Sequence, residues 1–428
     1  MRGQATNRVA IMGGLRTPFC RSYTKYSHVS NQEMMTAVLI EIVKKYKLKN
    51  QKLDDVSLGA VIKHSKDFNL ARESLLSSGL SPKTPAFDIQ RACGTSISAA
   101  IVIASKISSG IINSGIAGGV DSISDVPIVY PDAFRSILLS SFNGKNLIDR
   151  LLPWLKLRPK HFKPSLPSVD EPRTHLSMGE SMEITAKKWG LRREDQDLLA
   201  MKSHLNASQA YEEGFYEDLV INFNGIIKDN NIRPDTNIDK LSKLKPVFDR
   251  SSKATLTAGN STPLTDGASA ILLSSEEWAK DRELPIQSYL THAKVSAVDF
   301  VNDEGLLMAP VYAISEMLTE ANLELQDFDF YEIHEAFSAQ TLATLKALES
   351  ESFCKEKLNR EKALGSIDTS KLNIKGGSVA LGHPFAATGT RIIASLSKML
   401  SQKKKAKGLV SVCTAGGMGV TAILESSR

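Results

Sequence analysis

Apolar positions along the chain follow two alternating patterns. Short runs rich in β-branched residues read as strands at 9–12, 85–89, 114–119, 270–274, 328–333, 378–381 and 409–412. Between them, apolar residues recur at helical spacing over 31–46, 95–109, 180–189, 193–214, 311–321, 336–348 and 389–401. This alternation is the signature of parallel α/β units. Residues from about 125 to 250 break the rhythm, with Pro131, Pro153, Pro159, Pro164, Pro167 and Pro172 and helices that lack strand partners. That block reads as an insertion. It divides the chain into an N-terminal half of 1–125 plus 250–278, an inserted loop domain of 126–249 and a C-terminal half of 279–428. A strand followed by a small-residue turn with a cysteine occurs in FDIQRACGTS and again in LVSVCTAGG, which suggests an internal duplication. The uncharged stretch 408–424 is nearly long enough to span a bilayer, but its TAGGMG glycines make it two strands around a turn.

Composition leaves this outline unchanged: 428 residues, 42% hydrophobic and 23% charged, are globular proportions. Charge alters it. The formal net charge is +6, and the segment 135–163 alone holds seven basic residues against one acid, so the rest of the chain balances. A protein that coats nucleic acid has a broad basic face, so no nucleic-acid partner is expected. Within this segment Leu147, Ile148, Leu151, Leu152 and Leu155 recur at helical spacing among Arg150, Trp154, Lys156 and Arg158. The pattern predicts an amphipathic helix bent near Pro153. Two readings stand: a helix packed on its own subunit, or one lying against anionic lipid. Cys20, Cys93, Cys354 and Cys413 are widely spaced, with no Cys or His at ligand spacing, so neither a disulfide framework nor a metal site is expected. A strand-like run within the first dozen residues leaves no space for a targeting segment, and a cytoplasmic setting is expected.

The candidate chemistry sits in four short segments. In FDIQRACGTSISAA a small-residue helix begins just after Cys93, where free N–H groups and the helix dipole are expected to lower the thiol pKa toward neutrality. In GGSVALGHPFAATGTR a strand is expected to run into His383, held by Pro384 on a rigid turn. In VSVCTAGGMG, Cys413 ends a strand and the turn after it offers several backbone N–H groups to an oxyanion. In DFYEIHEAFSAQ, His334 lies between a strand end and a helix start. Two thiols and two imidazoles at such positions suit acyl transfer: one thiolate attacks a carbonyl, a histidine takes its proton, and the second thiol moves a proton on carbon.

These segments resemble the thiolases over nearly the whole chain, in order: GGLRTPF, RACGTS, IAGGVDSIS, MGESMEITAKKWG, RPDT with KLKPVFD, TAGNSTPLTDGASA, HEAFSAQ, GGSVALGHPFAATGTR and CTAGGMG. HEAF in place of the commoner NEAF, FAATG after GHP and the long connection 348–371 look like the β-subunits of fatty acid oxidation complexes. The resemblance implies an α/β thiolase fold, with duplicated βαβαβαββ halves in a five-layer αβαβα arrangement and an inserted loop domain. It implies cleavage of 3-ketoacyl-CoA by CoA in fatty acid β-oxidation, with Cys93 as nucleophile, Cys413 as the acid and base at carbon, and His383 activating the thiol. One oxyanion hole would be His383 with His334; the other would be the backbone N–H groups of Cys93 and Ala415. Met178, Thr262 and Phe337 match CoA-binding positions, and Arg233 is a candidate phosphate contact. CoA is a substrate, and no metal or redox cofactor is implied. A homodimer is implied as well, together with an α-subunit carrying enoyl-CoA hydratase and 3-hydroxyacyl-CoA dehydrogenase in an α2β2-type complex. Contact with a membrane surface would run through 135–163. Ala415 departs from the family's glycine, and Asp121 from its usual Glu. Three other readings are a biosynthetic acetoacetyl-CoA thiolase, a ketosynthase-like condensing enzyme and a non-catalytic scaffold. A ketosynthase lacks a counterpart of Cys413, and a scaffold would not retain Cys93 and His383.

Overall fold

The computed structural model describes residues 7–165 and 170–428. The residues before 7, on which the targeting expectation partly rests, and Pro167 lie outside the described residues. The chain opens with β1 (Val9–Arg16), a short β2 (Cys20–Arg21), α1 (Asn31–Lys45), β3 (Asp55–Leu58), α2 (Leu70–Leu76), β4 (Phe87–Asp88), α3 (Thr95–Ser108) and β5 (Ser114–Asp121). The proline-rich block then carries α4 (Asp132–Phe142), α5 (Leu147–Leu151), α6 (Met178–Lys188), α7 (Arg193–Glu212) and α8 (Ile238–Ser242). β6 (Thr265–Ser275) returns to the first sheet and α9 (Glu276–Asp281) leads out of it. The second half runs β7 (Ser288–Ala297), α10 (Ala309–Ala321), β8 (Phe330–Ile333), α11 (Ser338–Glu349), α12 (Glu351–Lys357), α13 (Ser378–Leu381), α14 (Thr388–Ser401), β9 (Lys407–Thr414) and β10 (Met418–Ser426).

The duplication is visible in strand order and direction. In the first half the order is β4-β3-β5-β6-β1, with β3 parallel to β4 and β5, and β6 antiparallel to β5 and β1. The second half repeats it as β8-β9-β10-β7, with β8 parallel to β9, and β10 antiparallel to β9 and β7. A parallel bridge from Tyr331 to Leu372 stands where β4 stands in the first half. The sheets join through β1 and β7, where Val9, Ala10 and Ile11 face Leu290, Tyr289 and Ser288.

Five layers follow from which faces are apolar. Ile97 and Ile103 of α3 and Ile393 and Leu396 of α14 share one core with Ile271, Val410 and Val420 from the two sheets. Leu272 and Ile116 point the other way and pack under Met34, Val38 and Leu75 of α1 and α2. On the far side Val311, Ile314 and Ala343 of α10 and α11 cover Tyr331, Leu409 and Ile423. Strands covered on both faces need apolar residues at odd and even positions alike, which is why β5 and β6 read as continuous runs. Helices α3 and α14 cross closely: a Cβ at Gly389 would lie 2.6 Å from the Ile97 backbone nitrogen. Their N-terminal ends therefore meet, and the two loops that feed them share one pocket wall.

Two local expectations need correction. Residues 378–381 form one helical turn and not a strand, because the chain reverses between Gly377 and Gly382 (φ +101°) and the Gly382 N–H bonds Ser378 O at 2.9 Å. The helix expected from 336 begins at Ser338, since Phe337 is extended and bridges Ser261. The stretch 408–424 is the β9–β10 hairpin, turned by Gly416 and Gly417 at φ +77° and +69°. Among the described residues no helix is long and apolar enough to cross a membrane.

Candidate active site

Cys93 sits in a tight turn between β4 and α3. Ala92 before it is held at φ +42°, a region an L-residue enters only when the surroundings fix it. Thr95 does the fixing: its hydroxyl donates to Ala92 O at 2.7 Å and accepts from Arg91 N at 2.9 Å. Gly94 leaves no space for a side chain, since a Cβ there would meet the Thr414 and Val420 methyl groups at 2.9 Å. The Cys93 turn is thus seated directly on the β9–β10 hairpin that carries Cys413.

His383 lies on the loop before α14, whose first turn packs against α3 through the 3.0 Å bond from Thr390 N to Ser96 Oγ. Its backbone N–H bonds Thr265 Oγ1 at 3.2 Å, and its Nδ1 lies 2.6 Å from Thr388 Oγ1, which turns the Nε2 edge toward the pocket. The loop is tied to the first half by Asp121, whose carboxylate accepts from Ala386 N at 2.8 Å and from Val61 and Ile62 N. His334 follows β8, and its ring centroid lies 4.1 Å from that of His383. Its Nδ1 is 2.8 Å from Ser378 Oγ, while its Nε2 is buried with no hydrogen-bond partner among the described residues. Ser378 Oγ also receives a bond from the buried Arg391 guanidinium at 2.6 Å.

Electrostatics in this pocket favour neutral groups. Burial pushes the Cys93 thiol up to about 12, although the Ala415 N–H that bonds its sulfur pulls the other way and the nearby Asp121 charge adds to the rise. Burial and the Arg391 charge bring His383 down to about 3. His334 is lowered well below its usual value by burial, by His383 and by Arg391. Cys413 is raised by burial and by its neighbour Cys93. The expectation of a thiolate favoured by the α3 N-terminus is therefore corrected: desolvation outweighs the dipole, which contributes only about 0.3–1 kcal/mol at exposed sites and at most about 2 kcal/mol. The turn after Cys413 also offers fewer N–H groups than its sequence suggests. Ala415 faces Cys93, but Gly416 N is bonded at 2.5 Å by Glu171, a buried carboxylate from the proline-rich block.

Next to these groups lies a cavity of about 550 Å³ lined by Arg233, Thr262, Phe248 and Val379, with Arg21 and Lys240 also in its wall. The Thr262 hydroxyl donates to Ser378 O at 2.8 Å, joining this wall to the histidine pair. Phe337 is buried behind it, edge-on to Phe248 with centroids 5.7 Å apart, and Met178 packs in the same cluster. Arg150, Trp154, Lys156 and Arg158 lie apart: the first three in α5 and the short helical turn Leu152–Lys156, Arg158 just before the next turn, Pro159–Phe162. Trp154 is pinned by a 2.8 Å bond from Nε1 to Ser141 Oγ. Sequence reasoning missed Ser378, Arg391 and Glu171, which are set apart by burial and have no shared local signal in sequence. Among the described residues no group of three or more His, Cys, Asp or Glu side chains is placed to hold a metal.

Comparison with known proteins gives the family. The family model described as thiolase, N-terminal domain, matches residues 9–277, and that described as thiolase, C-terminal domain, matches residues 285–426. A 3-ketoacyl-CoA thiolase of Yersinia pestis is 40% identical over 425 residues, covering 98% of this chain and 97% of that protein. The protein of the same name in Yersinia pseudotuberculosis matches to the same extent. Among solved structures, the acetyl-CoA acetyltransferase of Bacillus anthracis aligns with a TM-score of 0.80 at 29% identity, covering 99% of this chain and 100% of that one. The Acat5 thiolase of Ascaris suum, solved in complex with coenzyme A, shares the fold with a TM-score of 0.80 at 24% identity, covering 98% and 100%.

Proposed function

The chain belongs to the thiolase family, and from that premise we propose that it is a 3-ketoacyl-CoA thiolase, an acyltransferase that shortens fatty acyl chains by acetyl-CoA units. The observation that carries this reading is that Cys413 lies beside Cys93, that His383 lies beside His334, and that the α3 and α14 N-terminal ends bearing Cys93 and His383 pack together near the Thr262 and Arg233 cavity. Cys93 Sγ attacks the 3-keto carbon as its proton passes to His383. The tetrahedral oxyanion collapses, the bond between C2 and C3 breaks, and its electron pair stays on C2 as the acetyl-CoA enolate. The Cys413 thiol gives C2 a proton and releases acetyl-CoA. CoA then attacks the acyl-Cys93 thioester, its thiol proton restores Cys413, and the proton on His383 returns to the departing Cys93 sulfur. Every bond broken is matched by one formed and no net oxidation occurs, so CoA enters as a substrate and the steps call for no redox cofactor. Oxyanions would be held by His383 with His334 in one half-reaction, and by the N–H groups of Cys93 and Ala415 in the other. Met178 and Phe337 would back the pantetheine arm, with Thr262 and Arg233 in contact with CoA.

The proposal extends to assembly: a homodimer that binds an α-subunit bearing the preceding hydratase and dehydrogenase steps, in a cytoplasmic setting, with the segment 135–163 as the surface that meets an anionic membrane or the α-subunit. The experiment is isotope exchange. Cys413→Ala is expected to stop exchange of the acetyl-CoA α-protons with solvent, while Cys93 still takes up an acetyl group detectable by mass spectrometry. Undiminished exchange would remove Cys413 from this role.

A further inference from the structure

Hydrogen bonds behind His334 assign it a protonation state. Its Nδ1 lies 2.8 Å from Ser378 Oγ, which lies 2.6 Å from Arg391 Nη2. A guanidinium only donates, so the serine oxygen accepts from Arg391; among the described residues Nδ1 is the one acceptor within hydrogen-bond reach of the serine's own proton, which therefore points at the Nδ1 lone pair. A neutral imidazole carries one proton, and with Nδ1 accepting, that proton is on Nε2. Nε2 is the nitrogen that is buried and unpartnered among the described residues, on the ring tilted against His383. The opposite tautomer would present a bare lone pair to a developing negative oxygen and would repel it.

We propose that Ser378 and Arg391 are positioning residues whose relay fixes His334 as an Nε2–H donor, so that the oxyanion hole is assembled before substrate arrives. This rests on the thiolase reading above. The serine itself is held firmly. Its carbonyl accepts from Thr262 Oγ1 at 2.8 Å, and Glu335 accepts from Val379 N at 3.2 Å on the next residue. A Cβ at Gly377 would lie 2.1 Å from the Glu335 carboxyl carbon, so only glycine lets the turn approach that carboxylate. Arg391 is almost wholly buried at 2% exposure on α14, and its charge opposes protonation of both histidines. A fixed positive charge behind a neutral donor strengthens that donor without a proton being added.

The test is a kinetic cycle with the full chain: wild type, Ser378→Ala, His334→Ala and the double variant, assayed for CoA-dependent cleavage of a 3-ketoacyl-CoA. Ser378→Ala is expected to lower kcat about tenfold to a hundredfold with KM nearly unchanged, as for loss of transition-state hydrogen bonding. In the His334→Ala background the same substitution should change kcat by less than about twofold, because the serine acts through the histidine. Equal losses in both backgrounds, or no loss in the single variant, would overturn the relay. Histidine-selective 15N spectra of the wild type, with His334 assigned from its absence in His334→Asn, need no folded Ser378 variant. They should show Nδ1 unprotonated and Nε2 protonated; a protonated Nδ1 would overturn the proposal. A wild type without thiolysis would sink the functional reading and leave the spectrum to decide the tautomer.

Discussion

Burial holds Cys93 as a neutral thiol and His383 as a neutral imidazole, which sets the pH behaviour of the proposed nucleophile. With the thiol raised to about 12 and His383 lowered to about 3, neither changes charge between pH 6 and 9. Alkylation requires thiolate, so the rate of Cys93 modification by iodoacetamide should climb steadily, about tenfold per pH unit, across that range. A plateau reached below pH 7 would mean a preformed thiolate. Asp121 makes a second case at this scale. Its buried carboxylate holds N–H groups of Val61, Ile62 and Ala386, and burial lifts it to about 7. Asp121→Ala strands these donors and should cost about 3 kcal/mol or more in urea unfolding, with slower turnover as the His383 loop loosens; a loss below about 1 kcal/mol would show the loop is held by other contacts. Cys93, His383 and Cys413 stood out as candidates because small-residue turns surround them in sequence, and His334 because it falls between a strand end and a helix start. Ser378, Arg391 and Glu171 did not, because what singles them out is burial against distant partners. The thiol pKa was misread for the same reason: a helix start can be seen in sequence, whereas desolvation cannot.

Among the elements, the segment from α5 onward departs most from a closed surface. Leu147, Ile148 and Leu155 are 72%, 73% and 82% exposed, so its apolar side is not packed on its own subunit. The bend expected at Pro153 is present as the change from α5 to a tighter helical turn. Trp154 and Phe134 pin the segment to α4, with ring centroids 6.5 Å apart, while Lys156 and Arg158 stay exposed beside the apolar ridge. Replacing Lys156, Arg158 and Lys160 by Gln should cut co-sedimentation with vesicles containing anionic phospholipid several-fold, an effect that weakens with salt. Unchanged sedimentation would point to a protein partner for this ridge. Periodicity revealed this element because its pattern is local. The turn at 378–381 was misread as a strand because four residues carry too little pattern to separate a helical turn from an extended run.

On the scale of the whole molecule, the duplicated halves explain why one pocket holds residues from both. The first half supplies Cys93 at the start of α3; the second supplies His334, His383 and Cys413 from β8, the loop before α14 and β9. The close crossing of α3 and α14 at Gly389 brings them together, so the site exists only when both sheets have formed. Sequence motifs indicated two halves, but the identical strand order is a matter of pairing, which no single segment encodes. Light scattering should give twice the chain mass for the proposed homodimer, and a monomer at micromolar concentration would contradict it. The central claim is the reaction. Purified protein given a 3-ketoacyl-CoA and CoA should produce acetyl-CoA and an acyl-CoA two carbons shorter, with turnover reduced to background in Cys93→Ser. No cleavage by the wild type, or undiminished cleavage by the variant, would contradict the account.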